Sequence, residues 1–144
     1  MARRLGRFGG TLVLDSDGLS KLAAGDVRAR AFLSTAIERG AQVRVSALTL
    51  TEVLRGGARD AAVHRALARV GVVPVTPEIG RRAGELLGET GLSGHTCAID
   101  AIVAATALSL PRPLVLLTSD PDDLSRLVEE PGRPKDERVS VVHV

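Results

Sequence analysis

The chain has no tryptophan and no tyrosine, and Phe8 and Phe32 are its only aromatic residues. A face that stacks bases on aromatic rings is therefore not expected. Its single cysteine, Cys97, excludes an intramolecular disulfide. Cys97 lies in an apolar run, which predicts a small buried hydrophobe. Lysine occurs only at Lys21 and Lys135, so the positive charge is almost all arginine. Arginine suits bidentate phosphate contacts, but a coding bias toward arginine explains the excess more simply. The three histidines, His64, His95 and His143, have no metal-type spacing. Ser46, Ser119 and Cys97 have no evident base beside them, which argues against nucleophilic catalysis. Neither a Gly-x-x-x-x-Gly-Lys loop nor a Gly-x-Gly-x-x-Gly turn occurs. No apolar run approaches the roughly 18–20 residues of a membrane span. Thr11 to Leu14, behind a charged amino end, is too short for the core of a signal peptide. The expected location is the cytoplasm.

At 144 residues, with 44% hydrophobic and 25% charged residues, the chain fits a single domain over positions 1–144 with a real core. A net charge of +2 does not describe a dedicated polyanion binder. Arg3, Arg4 and Arg7 sit in a stretch, residues 1–10, that reads as a flexible basic arm offering weak phosphate contacts.

Short apolar runs alternate with helical patterns. Strands are expected at Leu12–Leu14, Val43–Ser46, Val72–Val75, Leu114–Leu117 and Val139–Val142. Helices are expected at Asp26–Arg39, Thr49–Arg55, Ala61–Val70, Pro77 to about Glu89, Cys97–Leu108 and Pro121–Glu129, with a loop at Gly91–Thr96. In the first of these helices Val27, Ala31, Phe32 and Ile37 are assigned to the packed side. The pattern implies an α/β fold with a mostly parallel sheet of about five strands, covered on both faces. In such sheets sites form at the carboxyl ends of strands.

Four acids stand where the chain turns from apolar to polar: Asp15, Glu52, Asp100 and Asp120. Asp100 lies in a helix that is apolar or small on nearly every side apart from Thr106. Such a helix is buried, and a carboxylate in it is costly unless paired or bound to a cation. The competing explanation is a buried cap for a neighbouring loop. Asp120 precedes Pro121 and fits a helix N-cap. Glu52, three residues after Thr49, fits a capping box, and Arg55 is placed to pair with it. Asp15 ends a strand, where turn-forming aspartate is common. Brought together, the four form a negative pocket that needs a cation. Like charges about 4 Å apart repel by roughly 4 kcal/mol at an effective dielectric near 20. Carboxylate oxygens select Mg²⁺ or Mn²⁺, which activate water for attack on a phosphodiester.

Four segments resemble, in order, the PIN domain, and within it the toxin ribonucleases of the VapC type. They are Leu-Val-Leu-Asp15-Ser, Leu-Thr-Leu-Thr-Glu52-Val-Leu-Arg-Gly, Ile-Asp100-Ala-Ile-Val-Ala-Ala-Thr-Ala and Val-Leu-Leu-Thr118-Ser-Asp120-Pro-Asp-Asp-Leu. The resemblance implies a flavodoxin-like α/β/α sandwich. It assigns Asp15, Glu52, Asp100 and Asp120 to a catalytic quartet holding Mg²⁺ or Mn²⁺, with Glu52 acting directly or through water. It places Thr118 beside them as a supporting hydroxyl and Asp123 as an accessory acid. It also implies an RNA substrate, a homodimer and a cognate antitoxin that blocks the site. The segments 26–39 and 61–70 offer apolar surface for such a partner, although core packing explains that surface equally well. No DNA-binding motif is present, so sequence-specific DNA recognition is left to the partner.

Two other readings remain open at this level. Leu-Asp15-Ser-Asp17-Gly18 also resembles the opening motif of haloacid-dehalogenase-type phosphatases, although Leu19 stands where that family has threonine and Glu52 and Asp100 would be left without a role. A non-catalytic PIN-like interaction module that merely retains the acids is the other.

Overall fold

The structure is a computed structural model that describes residues 9–144, so Arg3, Arg4 and Arg7 of the expected arm lie outside the described residues. Strand β1 (Thr11–Leu14) is buried at all four positions. It pairs in parallel with β2 (Gln42–Ser46) on one side and β4 (Leu114–Thr118) on the other. β3 (Gly71–Val73) and β5 (Ser140–His143) complete the order β3-β2-β1-β4-β5, with every pairing parallel. A strand covered on both faces reads as a continuous apolar run, as Leu-Val-Leu does here.

The helices are α1 (Ser16–Ala23), α2 (Val27–Glu38), α3 (Thr49–Val53), α4 (Ala61–Leu67), α5 (Pro77–Thr90), α6 (Gly94–Leu108) and α7 (Pro121–Leu127). Side chains alternate across the strands and build two cores. Leu12, Leu14, Val43, Val45 and Leu117 pack with Leu19, Leu22, Leu33 and Val63 of α1, α2 and α4. Val13, Leu114 and Leu116 pack with Ile79, Leu86, Val103 and Leu124 of α5, α6 and α7. The expected α/β/α sandwich with its parallel sheet is therefore the observed fold. Among the described residues, no helix is long and apolar enough to cross a membrane.

Several local expectations need correction. Helix α1 has no counterpart in the sequence reading, whose structural alternative for Asp15 was a strand-end turn and not the helix N-cap it forms. Residues 91–96 are not all loop. Ser93 accepts the His95 N–H and starts α6 at Gly94. In α2 the buried residues are Ala29 and Leu33, and Phe32 packs partly buried against the same core as expected, while Ala31 is exposed and Val27 is 83% and Ile37 46% exposed. The apolar stripe follows the i, i+4 pair nearest the sheet and not the bulkier residues at the helix ends. β3 ends at Val73, so Val75 lies outside the sheet.

Candidate active site

After β3 the chain crosses to the far side of β1 and forms β4. This reversal opens a crevice at the carboxyl ends of β1 and β4. Asp15 stands there. Its backbone N–H continues the β1–β4 pairing onto Leu117 O at 3.2 Å. Its buried carboxylate accepts the Gly18 N–H at 2.8 Å, which caps α1. Gly18 lets that first turn rest on β4, because a Cβ at this position would come within 2.8 Å of Leu117 O.

Thr118 ends β4 and is fully buried. Its hydroxyl accepts the Asp120 N–H at 3.0 Å and donates to the Asp120 carbonyl at 3.3 Å, and it lies near enough to Asp15 to favour the ionised carboxylate. Asp120 occupies the N-cap position of α7, but its side chain makes no capping bond. The expected side-chain cap is therefore absent among the described residues, and the Asp120 carboxylate is exposed and uncommitted.

Glu52 projects from α3. The anticipated capping box does not form. The N-cap position falls on Leu48, which makes no side-chain cap, and the Thr49 hydroxyl is buried without a partner. Ser46 instead accepts the Leu48 N–H at 3.2 Å. The Arg55 guanidinium turns to the Thr51 and Leu54 carbonyls, at 2.9 and 2.7 Å, and not to Glu52. A residue missed in the sequence governs the chain leaving α3. Asp60, buried, accepts the N–H groups of Arg55 at 3.0 Å and Gly56 at 2.6 Å. Its only sequence signal was an aspartate shortly after a Gly-Gly turn.

Asp100 lies one turn beyond Cys97 on α6. The helix is not buried all round. Val103–Ala107 is sealed in the core, whereas Asp100 is half-buried at the boundary with the crevice. Thr106, the other polar residue noted, is satisfied by the Ile102 carbonyl at 2.7 Å. Asp100 accepts no hydrogen bond among the described residues, so it caps no neighbouring loop. Cys97 is buried as expected, yet its thiol also lies 3.7 Å from Asp123 on α7.

The acids act on one another. Burial pushes the Asp15 carboxyl up to about 6, against the pull of Thr118 and Gly18 and with added push from Asp17 and Asp100. Burial also raises Asp100, followed by the charges of Asp123, Glu52, Asp120 and Asp17. The four sequence-predicted acids therefore converge on one crevice, joined by Asp123 and by Asp17. Among the described residues, no Lys or Arg forms an ion pair with any of these six. Nor, among the described residues, are the carboxylates drawn into a closed group of three or more able to grip an ion. The donor set is all hard oxygen, and carboxyls pushed up first by burial and then by one another's charge fit a divalent cation.

Solved structures share this architecture. The toxin–antitoxin pair VapBC2 from Rickettsia felis, bound to a promoter DNA fragment, aligns with TM-score 0.68 at 13% identity, covering 92% of this chain and 98% of that one. A toxin–antitoxin complex from Klebsiella pneumoniae aligns with TM-score 0.61 at 26% identity, covering 79% and 90%. No curated protein matches the sequence. The family model for the PIN domain matches residues 12–130. That span runs from β1 through α7 and takes in all six crevice acids together with Thr118, so the chain belongs to the PIN domain family.

Proposed function

We propose that this protein is a divalent-metal-dependent endoribonuclease and the toxin of a toxin–antitoxin pair, acting as one domain over residues 1–144 in the cytoplasm, as a homodimer. The observation that carries this reading is the crevice itself. Four separate elements deliver Asp15, Glu52 and Asp120 within reach of the charge of Asp100, and no basic side chain among the described residues pairs with them. Asp15, Asp100 and Asp120 would hold Mg²⁺ or Mn²⁺, with Glu52 acting directly or through water. A bound divalent cation supplies an activated water and stabilises charge on a phosphodiester. Thr118 keeps the Asp15 carboxylate oriented and anchors the backbone at Asp120, and Asp123 acts as an accessory acid facing Asp100.

An antitoxin partner is supported by the toxin–antitoxin neighbours and by a groove of about 580 Å³ between α1, α2 and α4. Leu22 and Leu33 contribute apolar lining there, beside Arg30, Arg65 and Arg69. The groove uses the two helices that the sequence singled out for such a partner, and its charge suits acidic side chains.

Asp100→Asn tests the reading. Cleavage of single-stranded RNA in Mn²⁺ should fall by at least about 100-fold, in the range expected when a group that stabilises the transition state is lost. The variant should stay folded and melt higher than the wild type in chelator, because a half-buried charge has been removed. Undiminished cleavage by Asp100→Asn, or wild-type cleavage unaffected by chelator, would refute the assignment.

A further inference from the structure

The proposed metal site leaves one nearby carboxylate without a task. Asp17 lies in the first turn of α1, two residues beyond Asp15, and is exposed. The ordinary account of an acid there is the helix dipole. Its one hydrogen bond among the described residues points elsewhere. The Ser119 hydroxyl, from the loop between β4 and α7, donates to the Asp17 carboxylate across 102 residues of sequence.

Ser119 sits between a rigid residue and a loose one. Thr118 is held in the sheet opposite His143, and its carbonyl accepts the Val144 N–H at 2.9 Å. Asp120 is exposed, its side chain has no capping bond, and among the described residues its backbone is tied only to the Thr118 hydroxyl, through both its N–H and its carbonyl. Asp17 also adds negative charge beside Asp15 and Asp100. That repulsion opposes folding of the metal-free protein, so the helix dipole alone gives little reason for a charge in this position.

We propose that Asp17 is a positioning residue: by accepting the Ser119 hydroxyl, it latches the loop that carries Asp120 to the helix that Asp15 caps, and so sets the spacing between two proposed metal ligands. The proposal rests on the crevice being a metal site. The latch itself exists without metal and can be measured separately.

Three variants separate hydrogen bond from charge. Ser119→Ala removes the donor, Asp17→Ala removes acceptor and charge, and Asp17→Asn keeps an acceptor without charge. All three leave the Asp15 cap in place, and thermal melts control for folding. In chelator, amide exchange at Ser119, Asp120 and Asp122 should quicken about tenfold in both alanine variants, the scale of one charge-assisted hydrogen bond. Asp17→Asn should stay near wild type. Calorimetric titration with Mn²⁺ should then show affinity lowered by about tenfold or more in the alanine variants, as for other outer partners of metal ligands. Asp17→Asn should be largely rescued, and the Asp17→Ala/Ser119→Ala pair should be no worse than either single change. Unchanged exchange in Ser119→Ala, or Asp17→Asn as damaging as Asp17→Ala, overturns the latch. Wild-type protein that binds no Mn²⁺ but shows the exchange pattern overturns the metal reading and leaves the latch standing.

Discussion

Asp15 caps a helix through the Gly18 N–H and at the same time carries a charge that its surroundings resist. Its carboxyl titrates near 6 in the folded chain against 3.8 for the free side chain. The folded state therefore binds this proton more tightly than the unfolded state. The group favours folding below about pH 3.8, and that contribution is lost as pH rises through about 6, a difference of about 3 kcal/mol at most. Asparagine caps a helix as well as aspartate does. Asp15→Asn should thus be more stable than wild type at pH 7.5 in chelator, with the advantage shrinking toward pH 4. Paired urea melts across that range check the sign. Added Mn²⁺ should stabilise only the wild type and narrow the gap. A constant difference at all pH values would mean that the Asp15 charge is not the cause.

At the scale of elements, α3 is a short helix held by its surroundings more than by its own ends. It has no side-chain N-cap, and the chain leaving it is gripped by the Asp60 carboxylate. Asp60→Ala strands two backbone N–H groups beside a buried residue and should cost about 1–3 kcal/mol in urea unfolding. Cleavage should weaken as well, because Glu52 rides on this helix. Asp60→Asn, which keeps one acceptor, should cost less.

This region also marks where the sequence stopped being legible. The sheet and most helices were readable because buried parallel strands are short unbroken apolar runs, and because glycine and proline punctuate the rest. Asp100 was readable because an apolar helix has little structural use for a carboxylate. Helix α1 was not, since Ser16, Asp17, Gly18 and Ser20 are turn formers and only Leu19 and Leu22 carry its packing. The structural alternatives for Glu52 and Asp120 were sound local chemistry, but neither cap forms: the N-cap position of α3 falls one residue early, on Leu48, and the Asp120 carboxylate makes no capping bond. The roles of Asp17 and Asp60 depend on which backbone comes close to them, and residue type alone does not carry that information.

At the scale of the molecule, β1–β3 with α1–α4 come from the first half of the chain, and β4–β5 with α5–α7 from the second. In the sheet the two halves meet only where β1 lies against β4. Asp15 and Glu52 belong to one half, Asp100 and Asp120 to the other. A break in the exposed stretch at Pro74–Val75 would therefore yield two fragments, each with part of the sheet and half of the acids. Neither fragment should cut RNA alone. Co-expressed, they should recover cleavage to the extent that the β1–β4 seam re-forms, which gel filtration and an RNA-cutting assay can follow together. A crevice placed on that seam makes the proposed nuclease a coincidence detector, whose output reports that its two halves have found each other.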